Sequence, residues 1–491
     1  MNDVPRMTRT DLAGEESSGT DPWTIEHEAM LRQAADLAMR FRRSLADRPQ
    51  RPARSFAEMR QAFAAPLPEQ GCAGIAAIEE LAALAEPGLG IMAGPRFFGW
   101  VIGASHPIGV AADWLTSAWG QNGGGHTLSP AGAACEEVAA SWLLDLLDLP
   151  RESSVGFVTG ATMANLTCLA AAREEVLRRA GWDAAGQGLF GAPPIRVIVG
   201  EEAHATVFSA LQLLGLGRDR VIRIATDAMG RMKADHVEQA IKDAEGPIIV
   251  IAQAGHINTG AFDPVSAIAE IAHRRGAWVH IDAAFGLWAR ACPQVARVAT
   301  GLDSADSWAT DGHKWLQLPY DCGFAIVRDA EAHRRAMAIA ASYLPAVAAS
   351  ERNPADYVPE LSRRARGFPA WAMIRALGRE GIARMVARHC RIARRMARAL
   401  GAEAGIRILN DVVLNQVVVR FGGDATSDDV LTRKVIERVQ ADGICLVAGA
   451  QWKGLWIMRL SVTSGATREP DADRAVAAII DAWRAVRAEV A

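Results

Sequence analysis

Lys314 stands in Asp306-Ser-Trp-Ala-Thr-Asp-Gly-His-Lys-Trp315, just beyond a short apolar run and close to two tryptophans. Most lysines are solvated surface charges. A lysine whose flanks are buried is different, because desolvation depresses an amine's pKa, and an imine-forming nucleophile needs that. Only five of the 53 basic residues are lysines. The other four, Lys233, Lys242, Lys434 and Lys453, fall in polar helical or turn segments. Arginine cannot substitute at position 314, since a guanidinium does not form an imine.

Three further features belong with this lysine. Trp278-Val-His-Ile-Asp-Ala-Ala-Phe-Gly286 ends an apolar run on Asp282. A carboxylate there needs a donor or cation; it caps the next helix, or it faces a ring nitrogen with Ala284 leaving room for a flat cofactor. Gly156-Phe-Val-Thr-Gly-Ala-Thr-Met-Ala-Asn165 reads as strand, small-residue turn and helix start. Its N–H groups and the hydroxyls of Thr159 and Thr162 could cradle an anion, or the segment is simply a tight turn. The spacing is neither that of a dinucleotide loop nor that of a nucleoside triphosphate loop. His204, in Gly200-Glu-Glu-Ala-His204, closes the next strand, where a histidine can be structural or can offer a flat ring. A lysine, an aspartate, an anion cradle and a flat ring at one sheet edge are what pyridoxal 5′-phosphate requires.

The elements that must position these residues fall into three regions. Residues 1–95 form an N-terminal tail and helical arm, with Ile25, Met30, Leu31, Ala34, Leu37, Ala38 and Phe41 at helical spacing. Such an arm is expected to pack on another subunit. Residues 96–345 alternate strands and helices. Apolar runs lie at Val155–Thr159, Arg196–Gly200, Val221–Ala225, Pro247–Ala254, Ala277–Asp282, Ser307–Thr310 and Gly323–Val327. Strands of this kind make a mostly parallel α/β sheet whose ligands sit at the carboxyl ends. Residues 346–491 open with an Arg-rich helical stretch, Arg363 to Ala399. Strands Val412–Phe421 and Leu455–Val462 and a helix from Asp471 follow, which together suggest a small α+β domain.

Composition removes several classes. Half the residues are apolar and the formal net charge is −3, so no basic nucleic-acid footprint exists. No run approaches the ~18 apolar residues of a membrane span. Met1 to Asp21 is polar and reads as a frayed tail, not a signal peptide. The seven cysteines are scattered without a C-x-x-C pair, which argues against a zinc site or disulfide framework and for a reduced, cytoplasmic protein.

From about residue 90 to 465 the chain resembles the group II pyridoxal-phosphate-dependent amino acid decarboxylases, which include aromatic-amino-acid, glutamate and histidine decarboxylases. The likeness is carried by His313-Lys314-Trp315 with Asp321-Cys322, by His280-x-Asp282-Ala-Ala284, and by Ser129-Pro130-Ala131 with Glu136. Phe97-Phe98-Gly99-Trp100 and Ala111-Ala-Asp113 also resemble the family's segment near the substrate. The resemblance implies fold type I, aspartate-aminotransferase-like: a PLP-binding large domain with a mostly parallel seven-stranded sheet, the N-terminal helical arm and the small C-terminal α+β domain. It implies a homodimer with active sites at the interface. It implies decarboxylation of an L-amino acid to an amine and carbon dioxide, through a Schiff base on Lys314 and a quinonoid intermediate. The alternative is another fold-type-I reaction, transamination or carbon–carbon lysis.

Residue by residue, the resemblance gives Lys314 the imine, Asp282 the pyridine nitrogen and His204 the ring face. Gly160, Ala161 and Thr162 take the phosphate, with His313 nearby, and Asn258 or Thr259 lines the cofactor beside Ala284. Tyr343 matches the tyrosine of a mobile catalytic loop and would protonate the α-carbon. A phenylalanine there is associated in the family with oxidative deamination to an aldehyde. Tyr320 falls beside the Lys314 segment and Tyr357 in the loop's continuation. Asp311 departs from the asparagine several members carry near the phosphate, and is expected to pair with a donor. Gly160-Ala161-Thr162 replaces the family's usual Gly-Gly-Ser. For the substrate, Trp100, Phe97 and Phe98 suggest an aromatic wall, while His126 with Arg364 or Arg366 would suit an acidic side chain. The substrate's identity stays open at this point.

Overall fold

A computed structural model describes residues 22–339, 352–423 and 428–490. The chain divides into two compact units, Met1–Ile91 and Met92–Ala491. The first contains the helices Pro22–Arg43, Phe56–Phe63 and Gly74–Ala85. Ser55 and Glu58 form a reciprocal capping box that starts the second helix. Gly74 lets two helices approach, since a Cβ there would lie 2.9 Å from Met30 Sδ. Neither Phe56–Phe63 nor Gly74–Ala85 buries a side chain.

The second unit is built on seven strands. They are β1 Ser154–Val158, β2 Arg196–Gly200, β3 Ile222–Ile224, β4 Ile248–Gln253, β5 Trp278–Asp282, β6 Ser307–Asp311 and β7 Gly323–Val327. Their order is β1-β7-β6-β5-β4-β2-β3. β7 runs antiparallel to both neighbours, and the other pairs are parallel. Apolar runs become strands here because helices cover both faces. Val197, Val199, Ile249 and Ile251 pack with Ala164, Cys168 and Leu169 of helix Ala161–Arg179. Ile198, Val250, Val279 and Ile281 point the other way, towards Leu143 and Leu147 and towards Val265 and Ile268. Strand, crossover helix and strand therefore repeat, and the parallel strands finish at one edge.

The smaller sheet is wholly antiparallel, in the order β10-β11-β9-β8. Its strands are β8 Ile406–Ile408, β9 Gln416–Phe421, β10 Ala448–Trp452 and β11 Leu455–Ser461. Helices Asp428–Asp442 and Glu469–Val490 supply Val435, Val439, Ile479 and Trp483 to its core. β9 starts later than the expected Val412 because the Asn410 side chain first accepts from Val418 N–H and donates to Gln416 O, which ties off a loop. β10, Ala-Gly-Ala-Gln-Trp, carries no apolar alternation and was not anticipated. The Arg-rich helix spans Gly367–Gly401 and is broken at Gly378, whose φ of 61° only glycine adopts readily.

Phe324 on β7 is fully buried and meets Phe157 of β1 edge-on at 5.1 Å between ring centroids. Phe324→Ala is expected to lower the unfolding free energy by about 3–5 kcal/mol, read from equilibrium denaturation. A loss under about 1 kcal/mol would show that the β1–β7 seam contributes little to the core.

Candidate functional site

The carboxyl ends of β2, β4, β5 and β6 and the start of helix Ala161–Arg179 enclose a cavity of about 320 Å³. Lys314 reaches it from a turn directly after β6. Gly312 and His313 both donate their N–H groups to Cys322 O at 3.0 Å, and Leu318 N–H returns to Gly312 O. Trp315 is buried and donates its indole N–H to His389 Nδ1 at 2.9 Å. Gly103 lies so close to this turn that a Cβ would fall 1.7 Å from His313 O. The lysine stem is thus anchored on both sides, with Nζ 2.9 Å from Asp311 Oδ2.

Asp282 ends β5 with 4% exposure and accepts the Ala284 N–H at 3.3 Å. Burial raises its pKa, while His204 and Lys314 pull it back. The site favours a cation against this carboxylate, which is what a protonated ring nitrogen supplies. His204 caps helix Ala205–Leu213 through Nδ1, facing Thr206 Oγ1 at 2.8 Å. Its ring opens onto the cavity, and the surrounding protein lowers its pKa, with Asp282 acting in the other direction. His313 Nδ1 accepts from Cys322 N–H, which turns Nε2 towards Asp311 Oδ1 at 3.4 Å. Burial keeps His313 below the usual imidazole pKa.

Thr159, Gly160, Ala161 and Thr162 line the same cavity. Gly160 is pressed against the start of β7, where a Cβ on Gly323 would lie 2.5 Å from Gly160 Cα. Ala161 N–H donates to Asp311 Oδ1 at 2.5 Å, so this helix end already receives an anion. Asp311 has the donor partner expected of it, and Lys314 as a second one. A lysine, a buried aspartate, a ring-bearing cap and an anion-accepting helix end fit pyridoxal phosphate.

Several residues lie elsewhere. Asn258 does not line the cavity; its Oδ1 accepts from Arg459 Nη1 at 3.0 Å. Thr259 donates its hydroxyl to Met229 O. Phe98 is not a pocket wall: it is fully buried in the core of the smaller sheet, and its backbone bonds to Leu446 and Ser461. Trp100 is 54% exposed and His126 is half-buried, and neither faces the cavity. Arg364 is engaged by Asp113 and Arg366 by Asp321, so the expected pair for an acidic side chain is already occupied. Tyr343 lies outside the described residues.

Arg459 was missed. It is buried on β11 without a carboxylate partner among the described residues, and burial lowers its pKa to about 10. Its Nη1 donates to the carbonyl oxygen of Ile257, a residue of the cavity lining, at 3.3 Å, which places it beside the site. The signal was an arginine in the apolar strand Leu455-Trp-Ile-Met-Arg-Leu-Ser461.

The profile of the pyridoxal-dependent decarboxylase conserved domain matches residues 58–421. The chain belongs to this family. Tryptophan decarboxylase 1 of Oryza sativa subsp. japonica is 28% identical over 419 residues, covering 80% of this chain and 81% of that protein. L-2,4-diaminobutyrate decarboxylase of Rhizobium meliloti is 31% identical over 369 residues, covering 72% and 71%. The crystal structure of Oryza sativa TDC with PLP and tryptamine superposes with a TM-score of 0.87 at 25% identity, over 95% of this chain and 99% of that one. The enzyme is a pyridoxal-phosphate-dependent amino acid decarboxylase of fold type I. When bound, the cofactor supplies an electron sink for the bond pair released with carbon dioxide.

Lys314→Ala is expected to keep the wild-type circular dichroism and melting temperature yet gain no visible absorbance with pyridoxal phosphate and show no turnover. A yellow, active variant would remove Lys314 from its assigned role.

Proposed function

We propose that the decarboxylase acts on an aromatic L-amino acid, as a homodimer in the cytoplasm. The charge inventory of the cavity carries the substrate reading. Its charged or titratable lining residues are His204, Asp282, Asp311, His313 and Lys314, and each is placed to serve the cofactor or another member of the set. Nothing charged in that lining is left for a substrate side chain, while Phe285, Ile257 and Ala284 offer apolar surface.

In this reading Lys314 Nζ would hold the cofactor, Asp282 would keep its ring nitrogen protonated, Ala284 would leave room for the ring, and His204 would pack against it. Gly160, Ala161 and Thr162 take the phosphate with His313 beside them. Arg459, a buried cation in need of an anion, draws the substrate carboxylate, and Asn258 orients that guanidinium. Tyr343 delivers the proton to the α-carbon once water is excluded.

The homodimer reading is supported by apolar surface around helix Pro107–Trp119. Trp114 is 44%, Leu115 50% and Trp119 51% exposed, with Trp100 and Leu128 also open. A second copy is the occupant that would bury such a face. The helices of residues 22–91, which have few buried side chains, suit an arm that packs on a partner. Seven free cysteines suit a reducing compartment, and no described helix is long and apolar enough to cross a membrane.

A second reading, 2,4-diaminobutyrate, is favoured by the 31% identical relative. Carbon dioxide release should decide. Tryptophan, tyrosine or phenylalanine is expected to exceed 2,4-diaminobutyrate, glutamate and cysteine sulfinate by at least about 100-fold in kcat/KM. The reverse order would transfer the assignment to the diamino acid or acidic substrate that leads. For Tyr343→Phe, amine output should fall at least about tenfold. Aldehyde and ammonia should rise in its place, with oxygen consumed and hydrogen peroxide formed; unchanged amine yield would dismiss Tyr343 as the proton donor.

A further inference from the structure

The anion cradle contains a carboxylate of the protein's own. Asp311 Oδ1 takes the Ala161 N–H at 2.5 Å, Oδ2 meets Lys314 Nζ at 2.9 Å, and the residue is only 2% exposed. Its main chain is tied at both ends, N–H to Ala284 O at 2.9 Å and carbonyl to Trp288 Nε1 at 3.0 Å. The side chain is packed as tightly, since a Cβ on Gly160 would sit 3.2 Å from Asp311 Oδ1 and 2.9 Å from His313 Cε1. This carboxylate therefore stays at the helix end when another anion arrives there.

We propose that Asp311 gates cofactor loading: it competes with the cofactor's phosphate for the Ala161 N–H, and tight binding requires one proton shared between the two anions. The inference rests on the cofactor reading above and concerns how this chain discriminates the charge state of that phosphate. Two negative groups at one partly desolvated helix end repel, and the complex relieves the repulsion by retaining a proton or by losing affinity. A phosphate monoester has its second pKa near 6, so above about pH 7 that proton must be taken up from solution. The complex then holds one proton more than its separated partners, and affinity falls as pH rises, by up to about tenfold per unit.

Other groups around Asp311 also titrate and must be separated from this effect. They are Lys314 and His313 in its own turn, Asp282 at the end of β5, His204 after β2, and Tyr320 and Cys322 ahead of β7. From helix Ala161–Arg179 the contact to Asp311 is the Ala161 N–H. Pyridoxal, which lacks the phosphate, reacts with the same lysine among the same neighbours. Its affinity therefore cancels every contribution except that of the phosphate.

The test is equilibrium binding of pyridoxal phosphate and of pyridoxal to the full chain, followed by absorbance and calorimetry between about pH 7 and 9. For the wild type, the preference for pyridoxal phosphate over pyridoxal should fall at least about tenfold across that range. For Asp311→Asn the preference should be flat. At the upper pH the variant should bind pyridoxal phosphate at least about tenfold more tightly than wild type, with pyridoxal changed by less than about threefold. The wild-type profile needs no variant, so a misfolded Asp311→Asn does not remove the test. A flat wild-type preference alongside firm pyridoxal phosphate binding overturns this inference alone, as does an Asp311→Asn protein that binds the phosphate no better. Failure of the wild type to bind pyridoxal phosphate overturns the cofactor reading together with it.

Discussion

The Asp311 carboxylate, bonded at once to the Ala161 N–H and to Lys314 Nζ, is the point through which the other parts of the site are fixed. It ties the end of β6 and Lys314, three residues further on, to the first turn of helix Ala161–Arg179, 150 residues earlier in the chain. Its strength comes from its surroundings, because the helix end and the ammonium both favour a negative charge and little water competes for it. Sheet topology makes the meeting possible. β5 and β6 are parallel neighbours with Asp282 opposite Ala309, so two carboxylates arrive at the same edge a few residues apart. Asp311 N–H then reaches Ala284 O and continues that registry beyond the strands.

A second set of bonds does the same work one layer below. Trp278 donates its indole N–H to Ser307 Oγ at 2.9 Å, and the same hydroxyl pairs with His280 Nδ1, also at 2.9 Å. His280 Nε2 in turn faces Asn165 Oδ1 at 2.8 Å. All four side chains are essentially inaccessible, and burial drives His280 down to about 3, so the ring is neutral, with one nitrogen donating and the other accepting. The chain of bonds crosses from β5 to β6 to helix Ala161–Arg179, and the last two of these are also joined by the Asp311 carboxylate. Removing one member would leave a buried donor or acceptor unsatisfied, at a cost of about 1–3 kcal/mol. The two layers together make the helix, the aspartate and the lysine a rigid group.

Much of this could be read in the chain itself, for a physical reason. Strands buried on both faces must be apolar throughout, so all seven strands of the large sheet stood out as short runs with boundaries within two residues. Lys314 and Asp282 were conspicuous because each interrupts or ends such a run. What escaped depends on partners distant in sequence. Phe98 lies in an aromatic cluster that could equally have formed a pocket wall, and only its pairing with Leu446 and Ser461 fixes it as core. Arg364 and Arg366 looked available because Asp113 and Asp321 lie on other segments. β10 has no apolar pattern, as its middle residues face out and Trp452 alone closes it.

The smaller sheet completes the electrostatics of the site. The tip of its β10–β11 hairpin brings Trp452 Nε1 to Glu202 Oε2 at 2.6 Å and Lys453 Nζ to Glu202 Oε1 at 3.3 Å. His256 Nε2 approaches the same carboxylate at 3.1 Å, and its hydrogen bonds outweigh burial to hold Glu202 near 2. Glu202 precedes His204 by two residues, and β11 carries Arg459, so one hairpin sets both a ring face and a buried cation. Lys314 and Arg459 then stand against Asp282 and Asp311, while His204 and His313 are pushed towards their neutral forms. The two cations and two carboxylates offset one another, so the cofactor's phosphate and its protonated ring nitrogen would both enter a site whose own charges are near balance. Arg459 is the one of the two cations that the described carboxylates leave unpaired, so it is the smaller sheet that contributes the free positive charge next to the cavity.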